Sequence, residues 1–283
     1  MTDTARPKRK RLRLNLGKAL FVLPNLFTLS SIFCGFYSIV LCGGNAEAAQ
    51  IRTAALLIAF AVFFDVADGR VARMTKTQSD FGLQLDSLAD LVSFGVAPAM
   101  LAYRYGLDKL GTFGLIVAFA FTGCGALRLA RFNVLAQRSE GPMTYFVGTP
   151  IPLAAGMVIS VMLANNGNPV LRQGAFSLAA LMLVMSYLMV SNVRYRTFKH
   201  MKSRLHTVLL FGTVVALFAL AAQAFTPGMA LAMLFSAYVT VGLVEELIFF
   251  RARRKPPVAP AHDDDGIEEE DEDEEDEEDA HHV

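Results

Sequence analysis

The sequence predicts an all-α, polytopic membrane helix bundle of about eight transmembrane helices, with both termini in the cytoplasm. Three observations predict it. The chain of 283 residues is 54% hydrophobic with a mean hydropathy of +0.42, more apolar than soluble domains usually are. Its apolar residues are gathered into runs, most of them longer than the roughly 18 residues that cross a bilayer as a helix. The Lys and Arg residues fall in alternate gaps between those runs.

Residues 1–18 are polar and basic, with Arg6, Lys8, Arg9, Lys10, Arg11, Arg13 and Lys18. The first apolar run covers 19–43. A cleaved secretory leader is the rival reading, because Ala46-Glu47-Ala48 has the look of a cleavage site. The run is, however, longer than the roughly 7–15 apolar residues of a leader, and it carries Pro24-Asn25 near its start. Further runs lie at 53–74, 85–104, 110–131, 150–164, 174–193, 206–225 and 228–250. The run at 150–164 is short, and 206–250 is split only by Thr226-Pro227-Gly228, so six or seven spans stay open.

An eight-span path with the N-terminus inside puts 22 of the 26 Lys and Arg residues on the cytoplasmic side. Only Arg52, Arg104, Lys109 and Arg172 fall outside. This bias is what the positive-inside rule requires, and a wrong span count would scramble it.

The zero formal net charge hides a polarised chain. Of the 26 acids, 15 lie between Asp263 and Asp279, which leaves 11 against 26 bases in the body. A basic body suits an anionic membrane surface and an anionic substrate; no nucleic-acid partner is expected. Pro256 to Pro260 reads as a linker, and Glu268 to Asp279 is an unbroken acidic run. Such a run cannot bury apolar surface, so disorder is expected. The domain organisation is thus a basic segment 1–18, a transmembrane domain 19–250, and a basic junction, Pro linker and acidic tail 251–283. Cys34, Cys42 and Cys124 match no metal or redox spacing and read as small packing residues.

Four aspartates sit in or beside the second and third runs. A carboxylate within a span costs about 3 kcal/mol on insertion scales, so each is a functional candidate. Asp65 and Asp68 are i, i+3; Asp86 and Asp90 are i, i+4; each pair shares one helix face. The polar stretch Met74 to Ser79 lies midway. If it is the turn between antiparallel helices, the pairs face each other at about the same depth, within about 20 Å of the turn. Converging carboxylates need protons or cations, and an all-oxygen set favours hard divalent ions such as Mg²⁺ or Mn²⁺. Gly69 and Gly82 flank the turn and let a ligand approach closely. Arg70 and Arg73 follow the first pair, and the guanidinium fork matches phosphate oxygens. These residues suit phosphoryl chemistry on a nucleotide-bearing substrate; a proton relay or ion-pair network in a cation transporter is the other reading.

The spacing Asp65-x₂-Asp68-Gly69-x₂-Ala72-Arg73-x₈-Gly82-x₃-Asp86-x₃-Asp90 resembles the complete signature of the CDP-alcohol phosphatidyltransferase family. The resemblance implies that Asp65, Asp68 and Asp86 bind two divalent cations. Asp90 would share in metal binding and act as the catalytic general base on the acceptor hydroxyl. Asp68, Gly69, Arg73 and Gly82 would hold the CDP part of the donor lipid. The alkoxide would attack the lipid-linked phosphorus, and CMP would leave. A homodimer in the cell (inner) membrane is expected, with the active site facing the cytoplasm.

The segments Asp86 to Ala99, Leu127 to Asn133 and Gly148 to Pro152 resemble those bacterial and archaeal members of the family that use L-serine as acceptor. This implies CDP-diacylglycerol and L-serine as substrates. Candidate contacts to the acceptor or a lipid phosphate are Arg128, Arg131, Asn133 and Ser93. Each has a plainer role open to it: positive-inside anchoring for the arginines, a loop position for Asn133, helix packing for Ser93. Arg194, Arg196, Lys199, Lys202 and Arg204 suit lipid headgroups. Other acceptors of the same class stay open: glycerol 3-phosphate, an inositol phosphate or choline.

Overall fold

A computed structural model describes residues 16–44, 47–75, 77, 79–138, 145–170, 172–191, 194–196, 226–237 and 239–240. Helix α1 (Leu16–Leu41) is followed by α2 (Ala48–Thr75) and α3 (Asp80–Asp90). A π-helical turn (Leu91–Val96) joins α3 to α4 (Ala97–Tyr105), and a short 3₁₀ turn (Leu107–Leu110) leads to α5 (Thr112–Arg138). Then come β1 (Tyr145–Val147), α6 (Ile151–Ala164), α7 (Arg172–Val190) and β2 (Arg194–Arg196). The two strands pair antiparallel, Phe146 opposite Tyr195, in a three-residue ladder that the apolar pattern does not signal. A further apolar helix covers Pro227–Ala237.

Five helical segments are long and apolar enough to cross a membrane: Leu23–Leu41, Ala48–Thr75, Asp80–Tyr105, Thr112–Ala136 and Arg172–Val190. They match the runs expected at 19–43, 53–74, 85–104, 110–131 and 174–193. By length and composition this is a membrane protein. The short run at 150–164 forms α6 of 14 residues, about 21 Å at 1.5 Å per residue against a hydrocarbon core of about 30 Å. The run 206–225, most of 228–250, the basic N-terminus and the acidic tail lie outside the described residues.

Helix α2 shows how the sequence sets the packing. Ile51, Ala54, Ala55, Ile58 and Ala61 are buried at helical spacing, a stripe dominated by small side chains that lets neighbouring backbones approach. The same stripe continues through Asp65 and Asp68, so the rule that buries the alanines also carries the carboxylates inward. Phe33, Phe36, Phe60, Phe63 and Phe119 point outward, as lipid-facing side chains do. Helix α1 packs against both α2 and α3.

Helix α3 begins where Ser79 caps it: the Ser79 hydroxyl accepts from the Gly82 N–H at 3.0 Å, and Asp80 in the first turn suits the helix dipole. The π turn directly follows Asp90. Pro98 lacks an N–H, and its ring would crowd the carbonyl of Phe94 in a regular α-helix; the wider turn falls where that crowding arises. The Thr122 hydroxyl on α5 donates to the Gly95 carbonyl of this turn at 3.2 Å.

The charges segregate along the bundle. At one end, Lys109 donates to the Val170 carbonyl, and Gly167 (φ +77°) lies so close to the start of α2 that a Cβ there would meet the Ala48 carbonyl oxygen at 2.2 Å and the Arg52 nitrogen at 2.9 Å. Arg52, Lys109 and Arg172, three of the four cations expected outside, flank this region. The aspartates and Arg73 lie toward the other end of α2, which is 28 residues or about 42 Å long.

Candidate active site

Asp65 and Asp68 on α2 meet Asp86 on α3. One oxygen from each of the three carboxylates lies within 4.8 Å of the others. Opposite oxygens across one Mg²⁺ are about 4.2 Å apart at 2.1 Å per bond, so the cluster has the dimensions of a hard-cation site. The charged groups acting on Asp86 are Asp68 and Asp65 themselves, and a bound cation would supply the compensation that such a set needs. The donor set is all oxygen and fits a divalent hard ion.

Asp90, one turn beyond Asp86, lies within hydrogen-bond reach of Asp65. The cation that faces it is Arg128 of α5. Asp68 is only 5% exposed, and its Oδ2 accepts from the Thr28 hydroxyl of α1 at 2.7 Å.

Beside the cluster opens a cavity of about 440 Å³. Helix α2 lines it with Asp68, Gly69, Ala72 and Arg73; the turn with Thr77 and Ser79; α3 with Asp80, Gly82, Leu83 and Asp86. Helix α1 adds Pro24, Asn25 and Thr28. A Cβ at Gly69 would stand 3.8 Å from the Arg73 guanidinium, and one at Gly82 would meet Ser79 Oγ at 3.2 Å and Asn25 Oδ1 at 3.7 Å. Every position of the sequence signature except Asp65 and Asp90 therefore borders one space.

The four candidate acceptor residues fall into two groups. Arg128 is 8% exposed, stacks over Phe132 with 5.8 Å to the ring centroid, and its Nε is buried without a hydrogen-bond partner. Asn133 donates from Nδ2 to the Ser87 hydroxyl at 2.9 Å, while its Oδ1 is buried and unpartnered. Arg131 donates to the carbonyls of Val190 at 2.9 Å and Ser191 at 3.2 Å, at the C-terminal end of α7. Ser93 is fully buried and donates to the Ser31 carbonyl at 2.9 Å. Arg131 and Ser93 are thus committed to holding helix ends or faces together. The side chains of Arg194 and Arg196, and the residues Lys199, Lys202 and Arg204, lie outside what the structure describes.

Thr28 and Asn25 are absent from the sequence-based candidates. The signal available was Pro24-Asn25-x₂-Thr28, polar groups at helical spacing in an apolar run. Pattern alone does not say which helix they meet, and Asp68, the partner of Thr28, lies 40 residues further along.

The CDP-alcohol phosphatidyltransferase family matches residues 21–189, a stretch that holds the carboxylate cluster, the cavity and the α5 arginines. Among curated relatives, a CDP-diacylglycerol–serine O-phosphatidyltransferase of Helicobacter pylori is 38% identical over 232 residues, 81% of this chain and 92% of the relative. A protein of the same name from Bacillus subtilis is 40% identical over 177 residues, 62% of this chain and 91% of the relative. An archaetidylserine synthase of Methanothermobacter thermautotrophicus is 35% identical over 179 residues, 62% and 70% of the two chains. With the signature aspartates gathered on α2 and α3 beside a glycine-lined cavity, and more than half of its length matched, the chain belongs to the CDP-alcohol phosphatidyltransferase family.

Proposed function

We propose that this protein transfers the phosphatidyl group of CDP-diacylglycerol to the hydroxyl of L-serine, giving phosphatidylserine and CMP. The observation that carries the proposal is the convergence of Asp65, Asp68 and Asp86 beside a cavity lined by Gly69, Arg73 and Gly82. The serine acceptor is supported by the relatives named serine O-phosphatidyltransferase at 38–40% identity.

Each residue then has a task. Asp65, Asp68 and Asp86 would hold the divalent cations, Mg²⁺ or Mn²⁺, with Asp90 beside them. When bound, such ions neutralise charge developing on phosphate oxygens. Gly69 and Gly82 leave room for the CDP moiety, and Arg73 offers its guanidinium fork to a phosphate. Asp90 takes the proton of the serine hydroxyl. The serine oxygen forms a bond to the lipid-side phosphorus, and the bond from that phosphorus to the CMP oxygen breaks. A carboxylate is a weak base for an alcohol, so alignment of the hydroxyl carries much of the rate. Arg128 and Asn133, which keep unpartnered buried atoms, are the proposed contacts for the serine carboxylate and ammonium. Arg131 and Ser93 serve the packing instead, through the carbonyls of Val190, Ser191 and Ser31.

The distribution of Lys and Arg supports an eight-span path with both termini and the active site on the cytoplasmic side of the cell membrane. Donor lipid then enters sideways from the inner leaflet. Isotope-labelled serine tests the reaction: purified protein with CDP-diacylglycerol and Mg²⁺ or Mn²⁺ is expected to move the label into chloroform-soluble lipid. Label remaining entirely in the aqueous phase contradicts the proposal.

A further inference from the structure

We infer that Thr28 is a positioning residue for the cation site: its hydroxyl fixes one oxygen of Asp68 and so sets how that carboxylate faces Asp65 and Asp86. The inference rests on the proposed metal-dependent reaction and adds a residue of α1 to its machinery.

Three observations carry it. First, the Thr28 hydroxyl lies 2.7 Å from Asp68 Oδ2, the length of a hydroxyl–carboxylate bond strengthened by charge. Second, both groups are buried, Thr28 at 4% and Asp68 at 5% exposure. Little of either residue meets solvent, although both border the cavity, and the Thr28 hydroxyl satisfies a buried carboxylate oxygen that would otherwise lose a partner. Third, the hydroxyl has a local alternative, the Pro24 carbonyl one turn back at 3.2 Å, and the shorter contact is to Asp68. A threonine within a helix ordinarily bonds back to its own turn; here the carboxylate 40 residues away holds the closer position.

Geometry explains why this matters. Asp68 belongs both to the three-carboxylate cluster and to the cavity wall. A carboxylate with one oxygen anchored presents the other in a fixed direction. Partners of this kind behind metal ligands are worth about 10- to 100-fold in metal affinity or activity. Threonine suits the task because its branched Cβ restricts rotation of the hydroxyl.

The test is direct Mn²⁺ binding to purified protein in detergent, read from loss of the paramagnetic resonance signal of free Mn²⁺, without turnover. Thr28→Val keeps the shape and removes the donor, and is expected to weaken Mn²⁺ binding about 10- to 100-fold. Thr28→Ser keeps the donor and is expected to restore it. Melting of the metal-free protein is expected to differ little between the Val and Ser variants. If Thr28→Val does not purify as a monodisperse species, Thr28→Ala makes the same prediction without added bulk. Unchanged Mn²⁺ affinity in the donor-free variant overturns the inference, as does equal weakening in Thr28→Ser. Wild-type protein that binds no Mn²⁺ overturns the metal reading and the inference with it.

Discussion

The side-chain amide of Asn133 on α5 donates to the hydroxyl of Ser87 on α3 at 2.9 Å, one turn before Asp90. This bond seats α5 against the helix of the proposed general base. It leaves Asn133 Oδ1, like Arg128 Nε nearby in sequence, buried and without a partner. An unsatisfied buried polar atom costs about 1–3 kcal/mol, which a ligand that pairs with it would recover. Asn133→Ala is therefore expected to raise the KM for serine about tenfold, the equivalent of one such contact. The KM for CDP-diacylglycerol is expected to stay unchanged. Steady-state kinetics with each substrate varied in turn checks this; a rise confined to the donor lipid would move Asn133 to the other subsite.

Asp90 touches Asp65 but does not line the donor cavity. Asp90→Asn is accordingly expected to lower kcat by about 10²- to 10⁴-fold, the usual worth of a positioned base. Binding of CDP-diacylglycerol is expected to persist near the wild-type level. Calorimetric titration with the lipid in detergent measures the second part, and parallel loss of binding contradicts the separation of base from donor site.

Gly69 gives a prediction of opposite signs. Its missing Cβ would meet only the Arg73 guanidinium, at 3.8–3.9 Å, so the fold accepts a methyl group. Ala in a helix interior is favoured over Gly by roughly 0.5–1 kcal/mol. Gly69→Ala is expected to melt at or above the wild-type temperature while binding CDP-diacylglycerol more weakly. A variant that loses stability and keeps its affinity would contradict the role of the glycine as space for ligand.

Gly35 and Ser93 make the contrasting case. A Cβ at Gly35 would come within 2.7 Å of the Ser93 Cα, a backbone atom that cannot step aside cheaply. Gly35→Ala is expected to destabilise the protein by about 1–3 kcal/mol, the range for overpacking. Ser93→Ala is expected to leave the KM for serine as it is, because the hydroxyl serves the Ser31 carbonyl. A change in that KM would return Ser93 to the acceptor site.

The aspartate pairs, their turn and the flanking glycines were legible because helical spacing and sequence proximity fix them: 26 residues hold Asp65 through Asp90. Thr28 was not legible, because an apolar run reveals a span and not which neighbour each face meets. Ser93 and Asp90 are i, i+3, which on a regular helix suggests a shared face. The π turn from Leu91 and the close approach of Gly35 turn Ser93 toward α1 instead. Arg131 showed a basic residue at a span end, and only the fold shows the carbonyls of Val190 and Ser191 that it binds. Among the described residues five segments meet the length for a span, while α6 is a shorter apolar helix.

CMP release by the purified protein, with CDP-diacylglycerol and Mg²⁺ or Mn²⁺, tests the central claim most directly. L-Serine, glycerol 3-phosphate, myo-inositol phosphate and choline are supplied one at a time, with and without a chelator. Release that depends on both serine and the metal is the predicted result. Release with another acceptor only, or undiminished release in the chelator, would contradict it.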